Sequence, residues 1–298
     1  MEKTTSPLMA LAETNQTLLK RRPRKAKPIK PSDKVERRYR GQLRALVREM
    51  AQAVDAELTP VLRAGYTADS PLLDRILAII ARLTERFTGI AYANQAYRLA
   101  QSTLSMAEAE TTAVFVSSVN RAVGVDMTRM IGQAGIADYL DAAVAENVAL
   151  IKSIGSDYFG KIEYAVLNGM RSGESTTVIA KRIQKATGAT YQRAKFIARD
   201  QISKVNADIS RKRQLDAGIT RFKWLTAKDV RVSGNPAGKY PAAKIKCFEI
   251  ARRDIGYGPG VYLVKQGASY AGETGLYPGK AHVNCRCATS ILVEGFDY

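Results

Sequence analysis

The sequence predicts an α+β protein: a mostly helical N-terminal region followed by a small β-rich, loop-rich C-terminal domain. Three observations carry this. Apolar residues recur at helical spacing across most of Ser32 to Gly218. After Gly218 the period changes, and "ITRFKWL" (219–225) alternates like a strand with Phe222 and Trp224 on one side. Glycine then becomes dense, in "IGYGPG" (255–260), "KQGASYAGETG" (265–275) and "YPGK" (277–280). The expected division is residues 1–31 as a basic extended arm, 32–171 as a helical region and 172–298 as the C-terminal domain.

The elements follow in order. "KRRPRKAKPIKP" (20–31) is basic and punctuated by proline, which forbids a continuous helix and favours extended backbone. Such a segment cannot bury enough apolar surface to fold alone. Residues 32–58 carry a helical stripe of Leu43, Leu46, Val47, Met50, Val54 and Leu58. Pro60 and Gly65 interrupt it. Ser70 reads as an N-cap with Pro71 at the first helical position, opening a helix from Leu72 to about Ala100. Shorter helices are expected within 104–121, 126–133, 138–153 and 157–170, separated by glycines. Ser175 opens a further helix and Gly188 ends it. Tyr191 to Ala217 forms the next, with Ala194, Ala198, Ile202, Val205 and Ile209 on one face and Gly218 as its left-handed cap. "GVYLV" (260–264) and "CATSILV" (287–293) read as strands.

The net charge of +18 suits a partner rich in phosphate or carboxylate. It is unevenly distributed. Residues 1–40 carry twelve Lys/Arg against four Asp/Glu. Seven of these cations fall at Lys20, Arg21, Arg22, Arg24, Lys25, Lys27 and Lys30, and they are the expected contacts to nucleic acid or to an acidic protein surface. With 46% hydrophobic residues the chain can bury a real core, yet it has no apolar run long enough to span a membrane. "MEKTTSPLMALAETNQ" does not read as a secretory signal. Three cysteines argue against a disulfide framework and for a reducing compartment.

"GKAHVNCRCATS" (279–290) holds the single histidine, His282, and two of the three cysteines, Cys285 and Cys287. Two main readings stand side by side, with a reactive redox pair, whose C-x-C bridge would be strained, as a third. One is a structural zinc site built from Cys247, His282, Cys285 and Cys287, since zinc takes about four Cys or His ligands. The other is a locally braced strand start in which Cys285 and Cys287 are small buried hydrophobes. C-x-C is a poorer chelate than C-x₂-C, and Cys247 is distant in sequence, so the brace is expected, with no metal and no cofactor. Catalysis has few resources: a Ser-His-Asp or Cys-His arrangement could use only His282, and no G-x-S-x-G elbow exists. "GYGPG" lacks the lysine of a phosphate loop. Arg199, Asp229 and Arg231 fit a hydrogen-bonded network that ties a strand to a helix better than an active cleft.

Four stretches in order are "RAKFIARDQISKVNADIS" (193–210), Gly218, "KWLTAKDVRV" (223–232) and "HVNCRC" (282–287). Together they resemble the C-terminal domain of the phage Mu F-like minor head, or head morphogenesis, proteins. Arg199, Asn206, Gly218, Trp224, Thr226, Asp229, Arg231, Asn284, Cys285, Arg286 and Cys287 fall on the family's motif positions. The likeness covers about 172–292. Two departures stand out. The family usually has "R-T-E" where this chain has Arg199, Asp200 and Gln201, and usually has a histidine shortly after "D-x-R-V-R", where "DVRVSGNPAGKY" (229–240) has none. Both count against inherited chemistry at those positions.

The resemblance implies a virion structural protein acting in head morphogenesis near the portal. Its implied partners are portal protein, major capsid protein and double-stranded DNA bound without sequence preference. The implied location is the inside of the phage head, with host cytoplasm during assembly. No enzymatic activity is expected. The alternative is a metal-dependent nuclease or transferase-type enzyme on the C-terminal domain.

Overall fold

The computed structural model describes residues 25–64, 72–128, 131 and 136–293. The expected α+β class is what it adopts. Among the described residues up to Gly218 the helices are α1 (Asp33–Glu57), α2 (Thr59–Arg63), α3 (Leu72–Arg86), α4 (Ile90–Val123), α5 (Ile136–Arg171) and α6 (Thr176–Asp216). Then come β1 (Arg221–Leu225), a short α7 (Cys247–Ile250), β2 (Val261–Leu263), β3 (Ala268–Tyr270), β4 (Glu273–Leu276) and β5 (Ala288–Leu292).

The residues group into two compact units that do not follow the linear division at 31 and 171. Among the described residues, one is built from helices and lies within 36–103 and 141–199; the other lies within 25–35, 104–140 and 200–293. Helices α4, α5 and α6 each supply residues to both.

In the helical unit the predicted stripe of α1 is buried, from Leu43 through Val54. Tyr39 beside that stripe donates its hydroxyl to Asn147 Oδ1 at 2.8 Å, so a buried amide has a partner. Phe87 stacks on Phe159 with centroids 5.7 Å apart. Pro60 lies in the first turn of α2, where its missing N–H costs nothing. The predicted cap at Ser70 and start at Pro71 lie outside the described residues.

Glycine positions are where the expected helix boundaries fail. The helix expected over 72–100 breaks between Arg86 and Ile90, whereas α4 and α5 run on where short helices were expected. Gly155 lies inside α5 because the α5 backbone passes against Phe87; a Cβ there would sit 2.6 Å from the Phe87 carbonyl oxygen. Gly188 does not end a helix either. It sits inside the 41-residue α6 with open space around it, where packing on either side outweighs its poor propensity. Described residues 126–128 form no helix; Asp126 Oδ1 instead accepts from the Thr128 amide at 2.9 Å.

The second unit holds the sheet. β1 is central, antiparallel to β2 on one side and β5 on the other, with Phe222 opposite Tyr262 and Trp224 opposite Thr289. α6 enters it with Ile202, Val205 and Ile209 buried as the stripe predicts. It ends at Gly218, whose φ of 70° is the expected left-handed cap. The glycine-rich stretch contains an unanticipated hairpin, β3 with β4. Phe222, Trp224, Tyr262 and Tyr277 form the centre of the core, joined by Phe115 and Val119 of α4. Trp224 is 1% exposed and edge-on to Tyr262.

The base of the arm is folded into this unit. Ile29 pairs with Thr289 on the remaining edge of β5, through Ile29 N–H to Thr289 O at 2.8 Å and Thr289 N–H to Ile29 O at 3.3 Å. Ile29 and Ala26 are buried in the core, and Ser118 Oγ donates to the Lys27 carbonyl at 2.7 Å. Apolar residues at 26 and 29 therefore end the extended arm earlier than residue 31.

Candidate functional site

The site grows from the turn that precedes β5. The Cys285 amide donates to the His282 carbonyl at 3.1 Å, closing a tight turn with Asn284 at φ 57°. Asparagine tolerates that left-handed conformation better than most residues. Asp200, 6% exposed on α6, accepts from the Asn284 amide at 2.7 Å through Oδ1, and its Oδ2 pairs with Lys204 at 2.7 Å. A helix carboxylate thus fixes the loop that carries both C-terminal cysteines.

The third cysteine arrives from elsewhere. Cys247 opens α7, and its amide donates to Ser233 Oγ at 3.1 Å. The Phe248 amide donates to the Ser233 carbonyl at 3.0 Å. This grip brings Cys247 Sγ to 3.8 Å from Cys285 Sγ. A ring nitrogen of His282 completes a group of three ligand atoms all within 4.8 Å of one another. His282 Nε2 lies 3.1 Å from Ser233 Oγ, and its Nδ1 lies 2.9 Å from the Val283 carbonyl oxygen. The Gly279 amide donates to Cys285 Sγ at 3.4 Å. Cys287 lies two residues further along the same stretch and is buried like the other two. The three cysteines are free and buried.

The electrostatics follow from that crowding. Cys285 is held below the ordinary thiol range because it accepts from the Cys247 and Cys287 thiols, with His282 adding to the effect against its burial. Cys247 is pushed up chiefly by its hydrogen bond to Cys285, and Cys287 by its bonds to Cys247 and Cys285. Burial alone would lower His282, but its bonds to Cys247 and Cys285 and their charge outweigh it, pushing its pKa up to about 11. The group thus sets three buried cysteines beside one imidazole. Such a set suits a soft cation. Cys285, fully buried, is poorly placed to attack a bulky substrate.

The other motif residues form braces. Asp229 Oδ2 pairs with Arg231 at 3.0 Å and with Arg286 at 2.7 Å, joining the loop after β1 to the start of β5. Arg199, the third member expected of that network, is half-buried in the helical unit. Asn206 Oδ1 accepts from Thr111 at 3.2 Å. Of the arm cations, Lys25, Lys27 and Lys30 are exposed, while Lys20, Arg21, Arg22 and Arg24 lie outside the described residues. Sequence reasoning missed Asp200 and Ser233. Asp200 had been noted only as part of a departure from the "R-T-E" pattern, and Ser233 carries no motif signal at all.

Comparison with known proteins agrees with the motif pattern. Residues 160–290 match the family model described as phage Mu protein F like protein, in keeping with the resemblance carried by the ordered stretches. An uncharacterized protein of Haemophilus influenzae is 31% identical over 222 residues, which is 74% of this chain and 50% of the relative. The chain therefore spans about half the length of the curated relative it matches. No solved structure matches. No helix among the described residues is long and apolar enough to cross a membrane.

Proposed function

We propose that this chain is a minor head protein of a phage capsid, acting in head morphogenesis near the portal, and that its basic arm lies along packaged duplex DNA. The Mu F-like match over residues 160–290 is the observation that carries this reading. The arm supports the DNA contact. Its base is held by the Ile29–Thr289 pairing, Lys25, Lys27 and Lys30 face solvent, and further cations precede them in sequence. A cationic segment anchored at one end reaches phosphates without unfolding the body, and gains affinity from counterion release. Portal and major capsid proteins are the remaining partners in this reading, and the role is structural rather than enzymatic.

Duplex binding measured against salt concentration tests the arm. The variant to use lacks residues 1–24, because a longer deletion removes the buried Ile29. It loses five cations, Lys3, Lys20, Arg21, Arg22 and Arg24. If all five contact phosphates, the log-log slope falls by about four to five units, equally on unrelated sequences. An unchanged slope removes the arm from DNA binding. Cleavage of the duplex by the full-length chain with added divalent metal would favour the nuclease reading instead.

A further inference from the structure

We infer that Cys247, His282 and Cys285, with Cys287 as fourth ligand, form a structural zinc site that ties α7 to the loop before β5. Cys247, Cys285 and the single histidine of the chain bring their ligand atoms within 4.8 Å of one another, and the third cysteine, Cys287, is buried two residues beyond Cys285. Sequence spacing favoured a metal-free brace partly because Cys247 stands 38 residues from Cys285; the fold removes that separation.

The geometry suits the ion. Two thiolates bound tetrahedrally to zinc at about 2.3 Å each sit about 3.8 Å apart. Cys247 Sγ and Cys285 Sγ are 3.8 Å apart. Structural zinc sites are closed, with four protein ligands, and here the three cysteines are buried. The outer contacts are also those that zinc ligands use. Each ring nitrogen of His282 has a partner, the Val283 carbonyl for Nδ1 and Ser233 Oγ for Nε2. Whichever nitrogen takes the metal, the other keeps a hydrogen bond that fixes the ring. The Gly279 amide points at Cys285 Sγ, where it stabilises thiolate charge.

The surroundings explain why a metal is useful here. The strands of this unit are three to five residues long, joined by glycine-rich loops. Short strands and long loops bury little surface per residue, and small units of this kind commonly add a metal. The ligands come from α7 and from the stretch 282–287, so one ion cross-links two segments that are far apart in sequence. Metal binding requires deprotonated thiols and a neutral imidazole, so affinity should fall as pH is lowered. The inference is independent of the head-protein reading, since it rests only on this cluster.

The test is elemental analysis of the full chain purified without chelator, paired with titration of the stripped chain by Co²⁺. About one zinc per chain is expected, together with the intense visible bands of tetrahedral, thiolate-bound cobalt that added zinc abolishes. Cys285→Ser and His282→Ala each lose the tight metal and shift or lose those bands. The cobalt spectrum of the unaltered chain decides the matter even where a variant fails to fold. Three results overturn the inference: zinc near zero with no tetrahedral cobalt bands; zinc kept at the full level by both variants, which marks an adventitious ion only; or a Cys247–Cys285 disulfide in the freshly purified chain by mass spectrometry.

Discussion

The carboxylate of Asp200 and the backbone amide of Asn284 are joined by a 2.7 Å hydrogen bond between α6 and the loop that carries His282, Cys285 and Cys287. The bond is short, the carboxylate is buried, and the residue it holds is left-handed. A variant that cannot accept leaves the Asn284 amide without its partner. Asp200→Ala is therefore expected to destabilise the chain by about 1–3 kcal/mol. Asp200→Asn keeps an acceptor oxygen and should cost clearly less. Urea denaturation of the two variants checks this, and equal losses would mean that the hydrogen bond is not what matters there.

Trp224 fills the centre of the core beside Phe222 and Tyr262 and is 1% exposed. Trp224→Ala is expected to cost about 3–5 kcal/mol, enough to unfold a marginal unit. Differential scanning calorimetry should show a large drop in thermal midpoint. An unchanged midpoint would contradict its place in the core.

The foot of the arm, Ala26 and Ile29, is buried. Removing residues 1–24 spares Ile29 and its pairing with Thr289, so it should cost less stability than removing residues 1–31. Removing residues 1–31 deletes a buried isoleucine and a sheet edge. Ile29→Ala alone is expected to cost about 2–5 kcal/mol. If both truncations melt alike, Ile29 is not part of the fold.

Two helix glycines should answer oppositely to alanine. At Gly155 a Cβ would meet the Phe87 carbonyl oxygen at 2.6 Å, so Gly155→Ala forces backbone apart and lowers stability. At Gly188 the same atom meets nothing within 4 Å. Gly188→Ala should be neutral or stabilising by up to about 1 kcal/mol. Thermal melts of the pair decide it, and a destabilised Gly188→Ala would show that α6 is interrupted there.

That contrast also shows what the sequence could and could not reveal. Stripes such as Leu43 to Val54, and Ala194 to Ile209, were legible because burial of one helix face imposes a period on local sequence. Gly218 and the alternating Phe222 and Trp224 were legible for the same local reason. Gly155 and Gly188 were not: a glycine reads as a terminator unless its tertiary neighbours are known, and Phe87 is 68 residues from Gly155. The site divides in the same way. The His282 to Cys287 cluster was visible as a local concentration of ligand-type residues. The arrival of Cys247, held by Ser233, depends on loop geometry that leaves no periodic trace. Ile29 was hidden in a basic stretch whose charge and prolines suggested an arm throughout.

The central claim, that this chain is built into phage heads, is tested most directly by quantitative mass spectrometry of DNA-filled heads. These would be purified on a density gradient from cells producing the phage that encodes it. The account predicts the chain in the head fraction at a fixed ratio to portal protein, and retained after washing with high salt. Its absence from full and empty heads alike, with the chain present in the soluble fraction of the same cells, would contradict the account.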